Sequence, residues 1–159
     1  MGIQTAGIDQ SGKVNKSEHD TAIVYCPLDS KKPKCSVFIP KEVTIKVEDR
    51  LKKPFKRNYR VSWFGPKMFS IGLYFLLRDV IEDINQIHME DEYPGNMDAI
   101  LDTLSNWFRD DRIEFDRDMI TCPPAQNNFR AHELANEIRK NPDKSGIQLD
   151  YYHFKRKLL

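Results

Sequence analysis

The chain has 159 residues, 40% of them hydrophobic and 11% aromatic, with 25 Lys and Arg against 24 Asp and Glu and a net charge of +1. That size and composition suit a single domain over 1–159 that buries about 68–70% of its unfolded surface. They exclude a wholly disordered or low-complexity chain.

The first third reads as β. Ile3 to Val14 is a strand entering a turn at Ser11-Gly12-Lys13, Asp20 to Cys26 is a second strand stopped by Pro27, and Cys35 to Ile39 is a third stopped by Pro40. Short polar connections suit a three-strand meander. Val43 to Arg60 has no clear period and reads as irregular or weakly helical. Pro66 to Asp83 reads as a mostly buried helix, apolar nearly all round, with Pro66 in its first turn. Ile84 to Asp91 reads as a strand that buries Ile84, Ile87 and Met89. Pro94 to Asp110 is a helix on the spacing of Met97, Ile100, Leu101, Leu104 and Phe108. Ile113 to Cys122 reads as a fifth strand. Gln126 to Lys140 is a third helix, ended by Asn141-Pro142. Ile147 to Leu159 gives no clear pattern. The result is a mixed five-stranded sheet flanked by helices, in the order βββαβαβα.

Charge is segregated along the chain. Lys41 to Arg60 carries eight basic residues against three acids, Asp79 to Asp118 carries thirteen acids against three arginines, and Lys155-Arg156-Lys157 forms a short basic tail. Either an acidic site stands beside basic walls, or these are solvated faces. Cys26, Cys35 and Cys122 show no CxxC spacing, so each reads as a small buried residue rather than part of a disulfide or zinc framework. The N-terminus lacks the pattern of a signal peptide, and Ile71 to Leu77 is too short to span a bilayer. A soluble, cytoplasmic protein is the expectation. GxGxxG, GxxxxGK[ST], GxSxG and HExxH are absent.

Three segments carry the candidate chemistry. They are Ala6-Gly7-Ile8-Asp9-Gln10-Ser11-Gly12-Lys13, Ile87-His88-Met89-Glu90-Asp91-Glu92-Tyr93-Pro94-Gly95 and Asn128-Phe129-Arg130-Ala131-His132-Glu133-Leu134-Ala135. A buried Asp9 needs a metal, a cation or hydrogen bonds, and it could also serve the Ser11-Gly12 turn. On a strand Glu90 and Glu92 share a face and Asp91 takes the other, while Glu92 could instead favour the N-terminus of the following helix. Asp91 is the alternative if the strand ends early. His132 could be a late metal ligand or a general base, with Glu133 as its alternative.

In element order and in these segments the chain resembles ribonuclease H-like nucleases, and in arrangement the RuvC-like resolvases. The resemblance implies an Asp near the centre of the first strand, a second carboxylate at the end of the fourth, and an Asp or His on the last helix. Tyr93, aligned with the aromatic residue that often follows the second carboxylate, puts Glu90 at the metal position. The implied function is Mg²⁺- or Mn²⁺-dependent hydrolysis of phosphodiester bonds in DNA, RNA or a branched junction. Asp9, Glu90, Glu92 and His132 would form the site, and Lys52, Lys53, Lys56, Arg57 and Arg60 would contact phosphates. A junction resolvase would act as a homodimer. One departure is clear: ribonuclease H proper has a Glu in the first turn of its first helix, and Ser62-Trp63-Phe64-Gly65-Pro66-Lys67 has no acid. This departure supports the alternative, a non-catalytic ribonuclease H-like module that binds nucleic acid or a protein. Acids more than about 8 Å apart would favour that alternative, because paired metals sit about 3.5–4 Å apart.

Overall fold

Alternation along the first strand, β1 (Thr5–Ser11), sets the layers of the molecule. Ala6 and Ile8 face one apolar layer, while Asp9 and Ser11 face a helix on the other side. The computed structural model describes residues 5–13, 19–27, 35–52, 61–122 and 129–158. After β1 come β2 (Thr21–Pro27), β3 (Cys35–Ile39), α1 (Lys41–Lys52), α2 (Val61–Leu77), β4 (Gln86–Met89), α3 (Met97–Asp110), β5 (Ile120–Thr121), α4 (Phe129–Lys140), β6 (Ile147–Gln148) and α5 (Tyr151–Leu158). The fold is α/β with a mixed sheet.

The strand order is β5-β4-β1-β2-β3-β6. β1, β2 and β3 form the antiparallel meander. β4 runs parallel to β1, β5 to β4, and β6 to β3. β1 is therefore central, with Ile8 opposite Met89 and Asp9 opposite Val24. The larger core joins Ile8, Ile23, Val37 and Ile87 to Phe69, Ile71, Leu104, Phe108 and Phe154 of the helices. The smaller core joins Ala22, Val24, Cys26 and Phe38 to Ala131, Ala135 and Ile138 of α4. Small side chains on both sides let α4 lie close over β1 and β2.

Several sequence expectations need correction. The sheet has six strands, because the C-terminal segment adds β6 and then α5. The Gly146 N–H donates to Ser36 Oγ (2.9 Å), the Leu149 N–H donates to the Phe38 carbonyl (2.9 Å), and Phe154 is fully buried. Those partners are over a hundred residues away, so no local pattern announces them. The strand expected over Ile113 to Cys122 shrinks to β5. α3 ends with Arg112 at φ 58°, the Ile113 N–H bonded to the Phe108 carbonyl and the Arg112 N–H to that of Arg109. This is the closure that glycine usually makes. Ile113 and Phe115 then pack on the core without a strand partner, and a 3₁₀ turn spans Arg117–Met119.

α1 is a regular helix through Lys52, not an irregular segment, and its first N–H is capped from afar: the Lys41 N–H donates to Asp20 Oδ1 (2.8 Å). Residues 53–60 lie outside the described residues. α2 starts at Val61 and ends at Leu77, so Pro66 is inside it. Burial of Phe64, Met68, Phe69 and Ile71 outweighs the backbone bond that Pro66 cannot donate. β4 is shorter than expected at both ends. Of the cysteines only Cys26 is buried; Cys35 is half-buried and Cys122 is exposed. No helix of the described residues is long and apolar enough to cross a membrane.

The β1–β2 connection depends on Gly12, at φ +78°. A Cβ there would stand 2.2 Å from the Asp20 carbonyl oxygen, which is backbone and cannot swing away. Gly12→Ala is expected to lower stability by at least about 2 kcal/mol in urea unfolding, from left-handed strain plus this overlap. A loss under about 0.5 kcal/mol would contradict the assigned turn geometry.

Candidate metal centre

Parallel pairing puts the C-terminal ends of β1 and β4 side by side. Asp9 lies near the end of β1, and Glu90 follows Met89 at the end of β4. The backbone then turns sharply: the Glu92 N–H donates to the Glu90 carbonyl (3.0 Å), a three-residue turn. Asp91, at the middle of the turn, is exposed. One carboxylate oxygen each from Asp9, Glu90 and Glu92 lies within 4.8 Å of the others. The sequence pairing of Glu90 with Glu92 is thus found in the structure, but the turn produces it, because the strand has already ended.

Asp9 is 3% exposed. Its Oδ1 accepts the Gln10 N–H (2.8 Å), and its Oδ2 meets His132 Nδ1 (2.8 Å). His132 comes from α4. The buried Ala131 and Ala135 fix that helix against the sheet, which turns His132 toward β1. The Ser11 hydroxyl donates to Asn136 Oδ1, so the Asn136 amide is left to donate to His132 Nε2 (3.3 Å). His132 Nδ1 then carries the hydrogen that Asp9 accepts. His132 stands beside Asp9 as its hydrogen-bond partner, outside the three converging carboxylates. Below the centre the buried Tyr93 hydroxyl donates to Gln10 Oε1 (3.3 Å), and its ring lies 5.2 Å from that of Phe69.

Three carboxylates this close resist ionising together. Burial raises the Glu92 pKa from 4.5 to about 7, helped by the charge and hydrogen bond of Asp9 and by Glu90; the Gln10 side chain acts weakly the other way. Burial also raises Asp9, with Glu90 adding to the rise and the Gln10 N–H and His132 opposing it. Full ionisation of the three acids is therefore disfavoured up to about neutral pH, and Glu92, beside Asp9, is the one raised to about 7.

The donor set is all oxygen and rich in negative charge, which suits a hard divalent cation such as Mg²⁺ or Mn²⁺. A cation there would relieve the repulsion that raises Glu92.

Other expected residues lie elsewhere. Lys52 is exposed at the C-terminal end of α1 and pairs with Glu48 (3.0 Å). Lys53, Lys56, Arg57, Arg60 and Asn128 lie outside the described residues. α2 has no acid in the expected turn. Glu82 lines a separate hollow with Glu114 and Asp116. His153 pairs with Asp150 (2.9 Å) and packs on Phe75. Sequence reasoning missed Gln10, Ser11 and Asn136. The four-residue step from His132 to Asn136 was the one signal available for any of them.

No protein-family model, curated protein or solved structure matches the chain.

Without metal, stability should fall as pH rises from about 4.5 to about 7. Folded Glu92 keeps its proton through that window while the unfolded chain loses it, so the folded state binds more protons and is penalised as they leave. Asp9 acts in the same direction. In EDTA, Glu92→Gln should flatten this fall in Tm. A wild-type Tm that climbs across the window would contradict a protonated Glu92.

Proposed function

We propose that this protein is a divalent-metal-dependent nuclease with a ribonuclease H-like fold, hydrolysing phosphodiester bonds in nucleic acid. The observation that carries the reading is the convergence of Asp9, Glu90 and Glu92 within 4.8 Å at the C-terminal ends of two parallel central strands. Oxygens this close can share one cation, or bracket a pair of ions about 3.5–4 Å apart. Ligand sites of α/β sheets commonly lie outside these strand ends. The placement also agrees with what the resemblance implies: a carboxylate on the first strand, a second at the end of the fourth, and a histidine from a late helix.

Asp9, Glu90 and Glu92 would hold Mg²⁺ or Mn²⁺. When bound, the cation supplies a water of lowered pKa and stabilises charge on the phosphoryl oxygens. The rest falls to the chain itself. His132 holds Asp9 in one orientation through Nδ1. Its Nε2 is taken up by the Asn136 amide (3.3 Å), and Asn136 in turn by the Ser11 hydroxyl, so the ring acts by positioning Asp9. Glu92 would have to give up its proton to serve as a ligand to that cation.

The test has two arms. At a metal concentration 100 times Kd, Mn²⁺ should add about 2.7 kcal/mol, or about 5–10 °C in Tm, to wild type. It should add nothing to Asp9→Asn. With metal, wild type should cleave at least one of single-stranded, duplex, hybrid or four-way substrates. Asp9→Asn should lose more than the about 10–100-fold typical of outer-shell changes. Equal Tm shifts in the two proteins, or metal binding without cleavage of any of these substrates, would defeat the nuclease reading.

A further inference from the structure

A cationic hollow lies at the far end of the strip that begins at the metal centre. His132, Asn136 and Arg139 follow one another along one side of α4 at spacings of four and three residues. His132 bonds Asp9, and Asn136 bonds His132 and Ser11. Arg139 continues the line, and its Cδ would lie 3.2 Å from a Cβ at Gly12, so the missing side chain there leaves room for the arginine stem. Arg139, Lys140, Lys41, His19 and Asp20 line a hollow of about 250 Å³. Asp20 is already engaged, since its Oδ1 caps the first N–H of α1.

The cations in this hollow differ from others on the surface. Lys52 pairs with Glu48, Lys144 with Glu137, Lys157 with Asp111, and Arg117 with Asp98 and Asp102. Among the described residues Lys41, Arg139 and Lys140 form no such ion pair. Arg139 and Lys140 also complement the C-terminal dipole of α4. That role does not account for Lys41 and His19, which arrive from other elements. A centre of three carboxylates repels a polyanion, so a substrate strand needs positive charge close by.

We propose that this hollow is a phosphate-binding subsite for the nucleic-acid strand cut at the metal centre. The inference rests on the nuclease reading above. Seven residues separate His132 from Arg139, about 10 Å along the helix axis. At about 3.4 Å per step of a stacked strand, the bound phosphate lies about three nucleotides from the scissile bond. The Arg139 fork supplies paired N–H donors, and the lysines add point charges. Phosphate binding thus centres on Lys41, Arg139 and Lys140, beside the acids.

The experiment is fluorescence anisotropy with a labelled single-stranded DNA of about 12 nucleotides in EDTA, over a salt series. Wild type is compared with Arg139→Gln/Lys140→Gln, with Lys41→Gln, and with Lys144→Gln as a charge control outside the hollow. The double variant should bind about tenfold more weakly, and its salt slope should fall by about 0.7 for each phosphate no longer neutralised. Lys41→Gln should change both in the same direction, and Lys144→Gln should match wild type. All three variants should keep the wild-type Mn²⁺ shift in Tm, which shows an intact centre. Wild-type affinity and slope in the hollow variants, or an equal loss in Lys144→Gln, would overturn the subsite. If wild type still cleaves in that case, the nuclease reading stands without it. If wild type binds no oligonucleotide and, with Mn²⁺, cleaves none while the ion still stabilises it, both readings fall.

Discussion

Everything at this site follows from the crowding of three carboxylates at the ends of β1 and β4. Burial and mutual repulsion make full ionisation unfavourable and raise Glu92 to about 7, while hydrogen bonds to both oxygens of Asp9 oppose the rise there. Such a cluster would destabilise a protein that had no use for it. A divalent cation would turn the same arrangement from a penalty into a binding site, because it would favour the ionised form that burial opposes.

The scaffold is built to hold that crowding. Parallel pairing of β1 with β4 sets Asp9 beside Glu90, and the turn at Glu90-Asp91-Glu92 brings in the third acid. On the other side, Ala131 and Ala135 let α4 approach β1 and β2 closely enough for His132 to reach Asp9. Asn136 and Ser11 lock the histidine ring, and Gly12 passes under Arg139. One helix therefore links the acidic centre to the basic hollow. The α2–α3 side, with Phe69 and Phe108 in its core, supplies rigidity through Tyr93 and Gln10.

The meander, the buried helix α2 and the acids of the centre are legible in the sequence because each rests on local pattern. Short runs stopped by Pro27 and Pro40 mark β2 and β3, the apolar run marks α2, and Asp9 stands out as an acid in a first strand that has to be central. The elements that are not legible depend on distant partners. β6 exists because Ser36 and Phe38 receive the C-terminal segment, and α1 begins where Asp20 caps it. The alternation of Ile113 and Phe115 looks like a strand, yet it reflects packing of a loop after the left-handed Arg112. At the site, only the four-residue step from His132 hints at Asn136, and nothing local marks the role of Ser11, which arises when α4 lies on the sheet.

The most direct measurement is calorimetric titration of Mn²⁺ into the metal-free protein at pH 6, in buffers of differing ionisation enthalpy. With Glu92 near a pKa of about 7, binding should release about one proton per metal ion. The release should fade above pH 8 and disappear in Glu92→Gln. Metal binding at pH 6 with no proton release, or with the same release in Glu92→Gln, would contradict a centre in which a cation replaces the proton of Glu92.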